Sequence, residues 1–274
     1  GFQVTVVPGE TAFDLMAYPV VPEIPQEMAA SLNLVYQGGL SLGNRPNAFS
    51  KVGDEAVASQ NFLVPFATGL YDLGNYGALQ SVLDAYSATT VREGDTPANS
   101  LTVESLAAGA QFSIDTLFTA APGGSACDAL GGGTNLACEF QLTRPSIALI
   151  SFSAPNVVFM PAEQFRSELQ TLVREAQSTY GVIPVLATIP AGGGYTTEQL
   201  AEYNRAIVEV AQASGVPLWN LWRAMQERGI GDPTGVAPEG PANLTDAALS
   251  YGVNVRNLTA LQTLQAVRQA VGIQ

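Results

Sequence analysis

A Gly53-Asp54-Glu55 turn sets two carboxylates side by side. Neighbouring carboxylates can assist a metal or divide acid and base roles between them, but adjacent residues in a turn point apart, which counts against a joint device. Ser59 lies one helical turn beyond Glu55. A serine hydroxyl needs an adjacent base to become a nucleophile near neutral pH, and the chain contains no histidine to supply one. Glu55 also has a plainer reading, as a solvated residue opening a helix, where negative charge is mildly favourable.

Cys127 and Cys138 enclose ten residues, Asp-Ala-Leu-Gly-Gly-Gly-Thr-Asn-Leu-Ala, whose glycines let two thiols meet. A disulfide is the leading reading, contributing about 2 to 3 kcal/mol through loop closure; two buried thiols are the alternative. A metal site and a cofactor are not expected, since no histidine can complete a Cys2His2 set. A disulfide would imply an oxidising, extracellular or cell-surface location.

The 274 residues are 47% hydrophobic, enough for one sizeable core, and only 13% charged, against roughly 25% in an average soluble domain. A net charge of -13, with Lys51 the single lysine, repels phosphate backbones and argues against nucleic acid as a partner. No uninterrupted apolar run reaches the roughly 18 to 20 residues that span a bilayer. The N-terminus lacks a basic region followed by an apolar one, as expected of a mature or trimmed chain.

The elements that must position these residues alternate in type. Residues 47–53 read as a strand ending in a glycine turn, and residues 75–86 put Leu79, Val82, Leu83 and Tyr86 on one helical face. Pro145 introduces an apolar run over 146–152 that suits a buried parallel strand. Residues 162–176 repeat Phe165, Leu169, Leu172, Val173 and Ala176 at helical spacing, and 181–190 read as the next strand. Thr196 and Gln199 form a capping box for a helix carrying Leu200, Tyr203 and Ile207. A short strand over 216–220 and a closing helix over 258–271 complete the series.

This alternation predicts an α/β domain, a three-layer α/β/α sandwich with a central parallel sheet, over residues 41–274. Residues 1–40 carry Phe2, Val4 and Val6 in alternation and then Pro19, Pro22 and Pro25; they predict an extended arm or strap. In open α/β sheets ligands bind beyond the carboxyl ends of the strands, so the site is expected among residues 53–60, 153–158, 190–195 and 230–240.

Several segments resemble, in combination, the secreted SGNH (GDSL-type) hydrolases: Gly43-Asn44-Arg45-Pro46-Asn47-Ala48-Phe49-Ser50-Lys51-Val52-Gly53-Asp54, the approach from Cys138-Glu139-Phe140 to Phe152, residues 180–190, Glu202-Tyr203-Asn204 with Pro217-Leu218-Trp219-Asn220-Leu221-Trp222, and Tyr251-Gly252-Val253-Asn254-Val255-Arg256-Asn257-Leu258. The resemblance spans roughly residues 40 to 270. It implies an SGNH-hydrolase (flavodoxin-like) fold and an ester-hydrolysing ancestry. The family's Gly-Asp-Ser nucleophile is Gly53-Asp54-Glu55 here. Gly109 corresponds to its oxyanion glycine, and Ser153-Ala154-Pro155-Asn156 replaces the Gly-x-Asn-Asp block, with Pro155 offering no amide. Thr234-Gly235-Val236-Ala237 stands where Asp-x-x-His is expected.

The resemblance therefore implies a vestigial cleft of Gly53, Asp54, Glu55, Gly109, Ser153 and Asn156, with the catalytic positions Glu55, Pro155, Thr234 and Ala237 degenerate. The expected protein is a catalytically inactive one at the cell surface. It would serve structural assembly, as a surface-layer or filament homo-oligomer built through the N-terminal arm, or glycan and ligand binding. A divergent esterase or lipase-like hydrolase is the alternative. Asn243-Leu244-Thr245 and Asn257-Leu258-Thr259 match a glycosylation pattern too short to be decisive. Trp219 and Trp222 read as core packing or as a sugar-stacking platform.

Overall fold

The computed structural model describes residues 13–93 and 97–273. The Phe2, Val4 and Val6 alternation lies outside the described residues. From Phe13 to Pro25 the chain runs as a strap, with a short turn at Leu15–Ala17. It is pinned to its own domain: Asn220 donates its backbone N–H to the Val20 carbonyl at 3.0 Å and its side-chain amide to the carbonyls of Leu15 and Tyr18 at 2.8 and 2.9 Å. Leu15 is buried beside Val208 and Trp222.

The expectation of extended chain through residue 40 needs correction. Residues Gln26–Ser41 form a 16-residue helix, α1, burying Leu32 and Tyr36. The prolines all precede it. Pro25 is at the N-cap, where a missing N–H costs no hydrogen bond, and nothing after it interrupts the helical ladder.

The domain then follows the predicted alternation: β1 (Arg45–Gly53), α2 (Glu55–Ala58), α3 (Gln80–Ser87), β2 (Thr90–Arg92), β3 (Ala98–Asn99), α4 (Asn135–Thr143), β4 (Pro145–Ser151), α5 (Ala154–Val157), α6 (Ala162–Ser178), β5 (Ile183–Ala187), α7 (Thr197–Ser214), β6 (Leu218–Trp219), α8 (Leu221–Gln226) and α9 (Gly252–Ala270). Strands β1, β4, β5 and β6 pair in that order, all parallel, with Lys51 opposite Leu149, Leu149 opposite Val185, and Ala187 opposite Trp219. β2 and β3 form a separate antiparallel ribbon.

Because strand side chains alternate between faces, the sheet feeds two cores. Phe49, Leu149, Val185 and Trp219 pack under α1, α3, α8 and α9. Val52, Ala148, Ile150 and Leu186 pack under α4, α6 and α7. The result is the three-layer arrangement the periodicity predicts. All four residues of the 75–86 face are buried, although Gly77–Leu79 is a 3-10 turn leading into α3. The Thr196–Gln199 capping box is present at α7.

Trp219 is fully buried and donates to Thr259 Oγ1 at 2.9 Å, and Trp222 is 8% exposed. Core packing, not a sugar platform, is therefore their role. Cys127 and Cys138 are disulfide-bonded with Cα atoms 5.3 Å apart, tying the glycine-rich loop to α4.

Candidate functional site

The turn after β1 is built from the backbone outward. Gly53 has φ +137°, and a Cβ there would sit 1.9 Å from the Ser151 carbonyl oxygen, so the position admits only glycine. Its N–H donates to the Ala107 carbonyl at 2.9 Å, and its own carbonyl accepts from Gly109 N–H at 3.2 Å. This pins the segment around residue 108 to the free edge of β1.

Asp54 caps α2 and is completely buried. Oδ1 accepts from Ala56 N–H at 2.9 Å. Oδ2 accepts from Ser153 N–H at 2.6 Å, Ser153 Oγ at 2.7 Å and Asn156 Nδ2 at 2.9 Å. Both oxygens of this carboxylate are thus committed to donors of its own chain. It clamps the loop after β1 to the loop after β4.

Above this clamp lies a cavity of about 470 Å3. Its walls come from all four predicted loop regions, with Glu55 and Ser59 from the first, Ser153, Pro155 and Asn156 from the second, Pro190 and Tyr195 from the third, and Asp232 and Thr234 from the fourth. The sequence argument about strand ends thus locates the cavity correctly. It is less accurate about individual residues. Glu55, Ser153, Pro155, Asn156 and Thr234 line the cavity, whereas Gly53, Asp54 and Gly109 form the layer beneath it and Ala237 is buried behind it. The Ala237 N–H donates to Asn254 Oδ1 at 3.1 Å.

The groups to which the resemblance assigns oxyanion stabilisation, or their neighbours, are engaged elsewhere. Gly109 N–H is bonded to Gly53, the Asn156 amide to Asp54, and Pro155 has no N–H. Asp54 is likewise no partner for Glu55 in acid–base work, since its carboxylate faces the loop clamp.

Two cavity residues were not anticipated. Asp232, within the expected loop 230–240, supplies a carboxylate at the cavity beside Glu55. Its Oδ1 accepts from Thr234 N–H at 2.9 Å and Thr234 Oγ1 at 2.6 Å, and these bonds, the hydroxyl's first, hold its carboxyl below the usual range. Arg256, in the first turns of α9, is 6% exposed. Its Nη1 donates to the Ala56 carbonyl at 3.2 Å, while Nε is buried without a partner. Burial pulls its pKa down, and the charges of Asp54 and Glu55 oppose that. A signal was present for Arg256, an arginine inside the otherwise uncharged stretch Tyr251-Gly252-Val253-Asn254-Val255-Arg256-Asn257-Leu258. Asp232 carries no comparable sequence signal.

Of the two glycosylation patterns, Asn257 is completely buried and bonded to Leu63, Asn61 and Pro241. No group of three or more His, Cys, Asp or Glu side chains that could hold a metal ion exists among the described residues. None of the described helices is long and apolar enough to cross a membrane.

No protein-family model matches the sequence, and no curated protein does either. Among solved structures, the chain is similar to a protein described as lipolytic and of the G-D-S-L family from Desulfitobacterium hafniense, with TM-score 0.48 and 11% identity over 80% of this chain and 99% of that one. It is also similar to a psychrotrophic esterase from Pseudoalteromonas, with TM-score 0.46 and 13% identity over 82% and 99%. A lipase/acylhydrolase from Enterococcus faecalis gives TM-score 0.45 and 18% identity over 82% and 95%. At such scores, what the cavity can do follows from its own residues.

Proposed function

We propose that this chain is an SGNH-type domain whose cavity binds a hydroxyl-rich ligand, a neutral glycan, without hydrolysing it. One observation carries the reading. The cavity carries the carboxylates of Glu55 and Asp232, the amides of Asn61 and Asn156, the hydroxyls of Ser59 and Thr234 and the Arg256 guanidinium, set among small apolar groups, chiefly alanines, prolines, Val253 and Tyr195, and no Leu, Ile, Met or Phe lines it. An acyl chain is matched by larger aliphatic side chains than these alanines and prolines. Sugar hydroxyls instead match the acceptors of Glu55 and Asp232 and the amide of Asn61.

Hydrolysis of an ester, the competing reading, has little support. Glu55 stands where the resemblance places the nucleophile, the chain has no histidine, and the Gly109 N–H and the Asn156 amide are engaged. The disulfide supports a location in an oxidising, extracellular setting. Residues 13–25 are held to the domain through Asn220 and the Leu15 cluster, and assembly through the N-terminal segment is kept as the second reading.

The test is calorimetric titration with neutral oligosaccharides, comparing the natural chain with Glu55→Ala and Asp232→Ala. Binding that weakens about tenfold or more in each variant supports the reading. Failure of every neutral oligosaccharide, beside binding of a fatty acid, overturns it.

A further inference from the structure

Helix α2 separates two cavities. Ala56 and Ser59 face the large one, while Val57 and Gln60 form one side of a second, of about 200 Å3. Glu104, Ser105 and Ala108, on the segment that covers the edge of β1, form its other side. Lys51 lines it too, reaching across from β1, and its Nζ donates to the Leu101 carbonyl at 3.2 Å.

An amine here is unusual. Lys51 is 3% exposed and is the only lysine in the chain. The acidic groups around it do not form an ion pair that fixes its charge. Glu139, on α4, is held by Arg92 of β2 and also accepts from Ser50 Oγ, Thr143 Oγ1 and Leu106 N–H. Glu104 is exposed, as is Gln60 beside it, so both stand at the mouth. Burial lowers the Lys51 pKa to about 8, against the opposing charges of Glu139 and Glu104. Desolvated lysines of this kind are nucleophilic near neutral pH.

We propose that Lys51 is a covalent capture site for small neutral aldehydes, which enter the cleft between α2 and the segment covering β1 and condense with its amine. The Nζ lone pair bonds to the carbonyl carbon, the two N–H protons of the amine pass to the carbonyl oxygen, the C–O bond breaks with loss of that oxygen as water, and a C=N imine remains. No redox partner is required. The carboxylate of Glu104 at the mouth disfavours carbonyl compounds that carry their own anion. The site is on the opposite side of α2 from the glycan cavity and does not depend on that assignment.

The experiment treats the folded full-length chain with propanal or glyoxylate and cyanoborohydride, then reads adducts by intact mass and peptide mapping. With one lysine, the only other amine is the N-terminal one. Propanal should label Lys51 about tenfold or more faster than Nα-acetyl-lysine at pH 7, with a rate rising through a midpoint near pH 8 and preferred over glyoxylate. Lys51→Arg should leave only the N-terminal adduct. Labelling confined to the N-terminus, Lys51 reacting no faster than Nα-acetyl-lysine, or Lys51 labelled only after unfolding in guanidinium would each overturn the proposal.

Discussion

Beneath the large cavity, Asp54 is wholly buried and accepts four hydrogen bonds from three residues; at the rim, Glu55 and Asp232 are exposed, and Asp232 is held by its own turn. The floor joins loops 99 residues apart in sequence through Asp54 and Ser153. The rim joins nothing distant. Substitution at the floor is therefore expected to cost stability, whereas substitution at the rim is expected to act on the proposed ligand.

The comparison breaks most readily at Asp54. Asp54→Ala leaves Ser153 and Asn156 donors unsatisfied and removes one of the two carboxylates whose charge favours the buried Arg256 cation, and should cost about 3 to 5 kcal/mol by urea denaturation. A loss under about 1 kcal/mol would show that floor and rim do not differ.

The buried layer continues down β1 to Lys51, where the sign of a pH effect can be worked out. The folded pKa, about 8, is below the unfolded value of 10.5, so between these pH values the unfolded chain binds more protons and stability rises with pH. The gain is fully present above pH 10.5 and is lost as pH falls through about 8. It amounts to roughly 3 kcal/mol. Denaturation at several pH values should show this rise in the natural chain and its absence in Lys51→Met.

Removing the bridge with Cys127→Ser and Cys138→Ser should cost about 2 to 3 kcal/mol and leave glycan affinity unchanged, since the bridged loop is outside the cavity. The smallest stability effect belongs to the rim. Glu55→Gln should stay within about 0.5 kcal/mol of the natural chain while weakening the ligand. Thr234→Val should move the Asp232 titration, followed by carbon NMR, upward toward the ordinary carboxylate range.

Much of this architecture was legible in the sequence because strand and helix periods are local. The apolar run after Pro145 and the stripe from Phe165 to Ala176 each identify an element without reference to the rest of the chain. Helix α1 was missed because three prolines ahead of it dominate the reading, although their effect ends at Pro25. The cavity's position followed from the strand ends. Arg256 did not, because its burial depends on α9 packing against α2, 200 residues away in sequence. The commitment of Gly109 and Asn156 was equally hidden, since each is set by a partner in a distant loop.

The central claim, binding without ester hydrolysis, is tested most directly by turnover of short and medium acyl p-nitrophenyl esters by the natural chain, beside a variant carrying Glu55→Ser, Thr234→Asp and Ala237→His. The account predicts no turnover above buffer in the natural chain. Turnover in the natural chain that disappears in Glu55→Gln would contradict it and make Glu55 a catalytic residue.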